Sequence, residues 1–389
     1  MKPDLLCSQG LRSKAICLAA GLAFALVGRI SLAASEDRPL ESNVLNSAES
    51  CGVCHAEIYS MWKRSLHSGA VTDPIFDAAY TRAYRETAGE AKKFCLRCHA
   101  PAATYNGDLD LQNPVSREGV NCDFCHSVSK VDLERTEQPF TVSLDGIKRG
   151  PLGDAESPVH GVAQSNLHRE SEFCAGCHEY MTEEGLLIFS TYSEWRLSPQ
   201  AKEGKTCQGC HMPVTSGRTV VEGLGVERKE INLHNISGGH SSEQVRKAAS
   251  LRILRVERTR PTLAQVEVEV SNIGSGHDIP TGMPTRKLVL ELDLFAGRKE
   301  IKRLERVYQR VLLDSSGRRI RDDHRVMLDA KSLLSDNRIH PGEQRIERFV
   351  VDVPREGNLR AAARLRYIYE PLLLSPTRMD VLMVSDELP

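Results

Sequence analysis

Five times along this 389-residue chain, two cysteines stand three positions apart with a histidine directly after the second. The sets are Cys51, Cys54 and His55; Cys95, Cys98 and His99; Cys122, Cys125 and His126; Cys174, Cys177 and His178; and Cys207, Cys210 and His211. Of the twelve cysteines, only Cys7 and Cys17 fall outside them. At this chain's own cysteine and histidine frequencies, roughly 0.01 such motifs would arise by chance. The spacing has a mechanical basis. Two thiols add to the two vinyl groups of a haem, and the next residue brings an imidazole to the iron. One helical turn carries all three groups to one edge and face of the macrocycle. The sequence therefore predicts five covalently attached c-type haems, held by ten cysteines and ligated by five motif histidines.

Other uses of paired cysteines fit less well. Disulfides suit an exported chain, but they require no histidine after every second cysteine. Zinc takes four ligands per ion, which five repeated half-sites do not supply. A redox dithiol of thioredoxin type occurs once, near a βαβ pattern, not five times.

Each motif histidine fills one axial position of an iron, and the other must be filled from elsewhere or left open. Eight histidines lie outside the motifs: His67, His160, His168, His234, His240, His277, His324 and His340. The first five stand within or just after the motif-bearing segment and are the expected distal ligands. His324 and His340 lie in polar stretches where a solvated role is expected. His277 lies in a Gly- and Pro-marked turn between two strand patterns, where a structural role and iron ligation both stand open.

The elements that must position these groups differ between the two halves. The first cysteines of successive motifs are 44, 27, 52 and 33 residues apart. So crowded a segment has little room for a side-chain core, and the cofactors must supply much of the buried apolar surface. Short helices and loops are expected, with helical periodicity over 56–67 and 77–94 and Gly/Pro-punctuated loops at 107–119 and 136–158. From about residue 250 there are no further cysteines. Alternating patterns at 251–256, 265–270, 286–294, 344–353 and 361–369 predict an all-β, sandwich-like domain. A short helix over 243–250 joins the halves. The fold class is mixed: residues 34–245 form a mostly α/loop multihaem domain, and residues 246–389 a β-sandwich-like one.

Residues 1–33 read as a signal peptide. Lys2, Arg12 and Lys14 precede an apolar run over 15–27, and Ser31, Leu32 and Ala33 offer small residues for cleavage. The run is shorter than the roughly 20 apolar residues a membrane-spanning helix needs. The expected product is an exported, periplasmic or cell-surface protein with no span after cleavage. Formal net charge is −1 for the full chain, and the mature chain would be near −4. There is no clustered basic face for nucleic acid.

Several local patterns carry a family likeness. They are Trp62-x-x-Ser65-x-His67-x-x-Ala70, Ser157-Pro158-x-His160, Leu167-His168 ahead of Phe173-Cys174, and Thr191-Tyr192-x-Glu194-Trp195-x-x-Ser198-Pro199. To these add Cys207-Gln-x-Cys210-His211-Met-Pro213, the tail His234-x-x-x-Gly-Gly-His240-Ser and the turn Gly276-His277-x-x-Pro-Thr-Gly282. Together they resemble multihaem cytochromes of the cytochrome c-554 type and hydroxylamine-oxidoreductase-like proteins, in versions with an added C-terminal β domain. The resemblance implies that His67, His160, His168, His234 and His240 are distal ligands. It also has limits. Cytochrome c-554 itself has four haems and the octahaem relatives eight. The Cys-x-x-Cys-Lys motif of ammonia-forming nitrite reductases is absent, and no tyrosine can be matched to the cross-link of hydroxylamine oxidoreductase.

With two histidines per iron there is no room for substrate, and such ligation gives low potentials. The expected function is electron transfer between redox partners, either other cytochromes or a reductase or oxidase, with no catalytic residue assigned. Two alternatives stay open: reduction of a small nitrogen or sulfur compound at one open haem, and assembly into an extracellular conductive filament. Self-association through the β domain also stays open.

Overall fold

The computed structural model describes residues 44–372 and 378–389. The signal-peptide expectation falls outside them.

The motif-bearing half is built of short helices and two-stranded ribbons. Its motifs sit on Ala48–Gly52 with the turn after it, and on Ala91–His99, Cys122–Ser127, Glu172–His178 and Cys207–His211. Side-chain caps fix where several of these turns start. Asn121 accepts from the Phe124 amide just before Cys122, and Thr206 accepts from the Gly209 amide just before Cys207. The motif histidine is the last helical residue in three of the five. The helix expected over 77–94 is two helices, Pro74–Glu86 and Ala91–His99. Ala88 and Gly89 separate them in the left-handed region, at φ 50° and 94°, a conformation that ends a helix. The loop expected over 136–158 contains two short strands, Phe140–Val142 and Ile147–Gly150.

Apolar packing in this half is thin. Leu45, Ala102, Phe124, Val128 and Phe140 form one small cluster. Val71, Leu96, Ala100 and Ala103 form another. Side chains alone leave this segment without a continuous core, as the spacing of the motifs requires.

The β half is the opposite. Strands Gln344–Asp352, Leu263–Asn272 and Ala249–Arg260 make one antiparallel sheet. Ser332–Asp336, Lys299–Leu313, Arg286–Ala296, Leu359–Tyr369 and Met379–Leu388 make the other. Strict alternation lets each strand give one face to a shared interior. Val266, Val268 and Val270 from the first sheet meet Leu288, Leu290, Leu292 and Leu294 from the second, all fully buried. Each such side chain contributes about 1.5–3 kcal/mol on burial. Ile75, from the helix Pro74–Glu86, joins the same cluster. His324 Nε2 reaches Glu86 Oε1 of that helix at 3.2 Å, tying the halves together. The short helix expected over 243–250 is Ser242–Arg246. His340 is exposed and bonded to Asp278.

Candidate haem-attachment sites

None of the ten motif cysteines is in a disulfide. Burial pushes the thiols of Cys95 and Cys125 up to about 12, the reverse of what a reactive dithiol needs. Among the described residues, no group of three or more His, Cys, Asp or Glu is arranged to hold a metal ion.

The motifs are brought close together. The thiols of Cys51 and Cys122 interact, as do those of Cys98 and Cys177 and those of Cys174 and Cys207. The first motif therefore neighbours the third, and the fourth neighbours both the second and the fifth. Cys125 also acts electrostatically on Cys174 and Cys177, linking the third motif to the fourth.

Four motif histidines are oriented by backbone carbonyls. Nδ1 lies 2.5 Å from Thr219 O in His55, 2.9 Å from Ala70 O in His99, 2.6 Å from Arg149 O in His126, and 2.7 Å from Ser237 O in His211. A hydrogen bond at Nδ1 fixes the tautomer and leaves Nε2 to bind a metal. His160, His234 and His277 repeat the arrangement, on Gly161 O at 2.9 Å, Asn232 O at 2.8 Å and Asp278 O at 3.0 Å.

Ring separations are more telling. Two imidazoles on opposite faces of one iron would have centroids roughly 6.2 Å apart, given about 2.0 Å per metal–nitrogen bond and about 1.1 Å from nitrogen to ring centre. The centroids are 6.3 Å apart in His55–His160, 6.4 Å in His67–His178, 6.5 Å in His126–His234 and 6.4 Å in His211–His277. Burial lowers the pKa of His178 to about 3, so its imidazole is neutral and able to act as a ligand. The residues present fit a planar, iron-bearing macrocycle between paired imidazoles.

The remaining expected ligands are placed differently. His168 Nε2 is 3.0 Å from Cys125 O, and its ring is 5.7 Å from that of His126, closer than the iron-bridged spacing. His240 Nε2 stands 3.4 Å from a terminal nitrogen of Arg286. His99 stacks on Phe76 at 3.9 Å; among the ring pairs of the described residues, it is the motif histidine without a histidine opposite. His277, left open by the sequence between a structural role and ligation, stands opposite His211. Its turn lies far along the chain from the motifs, and only the fold brings it to His211.

Buried polar contacts hold that turn in place. Arg338 reaches Glu194 at 2.6 Å, Asp336 at 2.7 Å and Asp278 at 3.3 Å. Thr281 Oγ1 donates to Glu194 Oε2 at 2.6 Å. Glu194 belongs to the motif half and Arg338 to the β half, so this network seats the His277 turn against the haem segment.

Residues 50–127, covering the first three motifs, match the family model described as cytochrome c554 and c-prime. A penta-heme cytochrome c552 from Thermochromatium tepidum shares the fold with a TM-score of 0.69 and 22% identity, covering 90% of this chain and all of that one. A β-glucosidase from Kluyveromyces marxianus (11% identity, TM-score 0.16, covering 36% of this chain and 13% of that one) is too distant to support any argument. No curated protein matches the sequence at a significant level.

Fold and attachment motifs together define a multihaem c-type cytochrome with a C-terminal β domain. The fold and the matched family model support electron transfer at a general level.

Proposed function

We propose that the chain carries five covalent haems and serves as an electron carrier between redox proteins, with four of its irons held by histidine on both faces. The observation that carries this reading is the set of four ring pairs at 6.3–6.5 Å. His160 would serve the first motif's iron, His234 the third, His67 the fourth and His277 the fifth. When bound, the haems supply one-electron iron chemistry at low potential. The chain's part is to hold the imidazoles rigidly and keep neighbouring attachment turns in contact. The thiol contacts favour the order first, third, fourth, with the second and fifth both beside the fourth. The penta-heme cytochrome c552 that shares the fold supports the same count.

A domain division near residue 245 is part of the proposal, supported by the start of the first long strand at Ala249. So are export and a periplasmic or cell-surface location. Among the described residues, no helix is long and apolar enough to cross a membrane.

One observation favours a second reading. Among the ring pairs of the described residues His99 has no imidazole opposite it, and His240, an expected ligand left over, lies beside Arg286. An iron at the second motif would then keep a weakly occupied face, where a small nitrogen or sulfur compound could be reduced. The filament reading gains no such support. Its candidate ligand, His277, already faces His211 of its own chain.

Electron paramagnetic resonance of the ferric protein tests the ligation. The account expects low-spin signals for four irons and a fifth that responds to carbon monoxide, once reduced, or to nitrite. A spectrum dominated by high-spin iron would refute it.

A further inference from the structure

The strand Arg286–Ala296 buries Leu288, Leu290, Leu292 and Leu294 on one face. Arg286 begins the strand on that same face, in register with Tyr369, and Tyr367 lies two residues along the neighbouring strand. Period two therefore brings an arginine and two tyrosines together where the apolar core ends. The guanidinium sits 4.8 Å from the Tyr369 ring centroid, donates to Thr281 O at 3.1 Å and approaches His240 Nε2 at 3.4 Å. Among the described residues it makes no ion pair. Its Nε is buried without a partner, and so is the Tyr367 hydroxyl. The nearby carboxylate of Asp323 is already bonded to Thr285 and, at 2.5 Å, to Tyr369.

A guanidinium stays charged at any ordinary pH; Asp323 and Tyr369 act favourably on it, but no carboxylate closes an ion pair with it, and a buried charge without one is unfavourable. Here it stands beside an unused hydroxyl donor. Two glycines keep the neighbourhood open: a Cβ at Gly239 would come 3.1 Å from both Arg286 and the Tyr367 hydroxyl, and one at Gly282 would come 2.8 Å from Arg286. Arg286 also acts electrostatically on His178, so the pocket borders the fourth attachment turn.

We propose that Arg286, Tyr367 and His240 form a receptor for one anionic oxygen group, where the β sheet meets the fourth haem-attachment turn. Planar, forked donors of this kind suit a carboxylate or a small oxyanion. The resident source is a propionate of a bound haem, and this rests on the haem reading above; the diffusible source is an oxyanion of nitrite or sulfite size.

The test compares holoprotein potentials of the wild type, Arg286→Gln and Arg286→Lys, with and without sodium nitrite, after intact mass shows equal haem content. With a propionate in place, Arg286→Gln shifts one haem's reduction equilibrium about tenfold toward the oxidised form, about 59 mV for one electron, regardless of nitrite. Lysine restores most of the shift. With a diffusible oxyanion, nitrite alters one haem of the wild type saturably and binds Arg286→Gln at least tenfold more weakly. Equal potentials and equal nitrite responses in wild type and Arg286→Gln would overturn the proposal. Should Arg286→Gln fail to load haem, Tyr367→Phe decides, because it keeps the ring and removes only the unpaired hydroxyl. Weakened nitrite binding or a lowered potential supports the receptor; wild-type behaviour with a raised Tm marks a packing flaw and refutes it. A wild type carrying fewer than five haems would fault the five-haem count alone, leaving this comparison valid.

Discussion

His211 and His277 face each other at 6.4 Å with ring planes only 9° apart, although 65 residues of chain separate them. One is the last residue of an attachment helix and the other sits in a turn of the β half. Both are oriented through Nδ1, by Ser237 O and by Asp278 O with Ser275 Oγ. On the proposed ligation, this pairing makes the β domain part of the haem site rather than a cover over it. His277→Ala should convert one ferric iron from low spin to high spin while leaving the other irons unchanged. Spectra identical to wild type would show that the fifth iron takes another ligand.

The seat of that turn should matter as much as the ligand. Arg338 is 6% exposed and bonds Glu194, Asp336 and Asp278. Arg338→Met strands buried carboxylates, which costs about 3–5 kcal/mol. Thermal unfolding should report the loss, and the high-spin signal of His277→Ala should appear in part. Adding Glu194→Gln should recover some of the stability. A variant as stable as wild type would contradict the clamp.

Gly119 governs His67. Its φ is +67°, and a Cβ there would come 2.1 Å from the carbonyl oxygen of His67. The Val120 amide donates to that same oxygen at 2.8 Å, and Val120 O accepts from Trp62 Nε1 at 2.8 Å. Gly119→Ala should destabilise the protein by about 1–3 kcal/mol and displace His67, giving high-spin character at the fourth motif. Unaltered spin state with intact stability would show that the strap does not position the ligand.

Asp323 sets a pH dependence. Burial raises its carboxyl from 3.8 to about 6, against the pull of its hydroxyl donors. The folded state thus favours the neutral form, so its contribution is present below pH 4 and is lost as pH rises through 6. Asp323→Asn should gain on wild type by roughly 3 kcal/mol between pH 4 and pH 8. Denaturant titrations at the two values measure this; a pH-independent difference would contradict it.

The candidate attachment residues could be read locally because covalent chemistry would constrain their spacing within a few residues. The five strands with plain alternation were legible for a similar local reason. Lys299–Leu313 was not anticipated: its apolar residues Ile301, Leu304 and Val307 recur every third position, as on a helix, and its residues are largely helix formers. Pairing along Arg286–Ala296 makes it a strand, because the sheet edge outweighs local propensity. The His–His pairings were beyond reach, since they join residues brought together only by the fold. The same holds for Arg286, whose place among tyrosines depends on register.

The claim on which the rest depends is attachment of haem at all five motifs. Intact mass spectrometry of the mature protein measures it directly. The account predicts a mass exceeding the polypeptide by five haem groups. A mass equal to the bare chain, or one short of five haems, would contradict it.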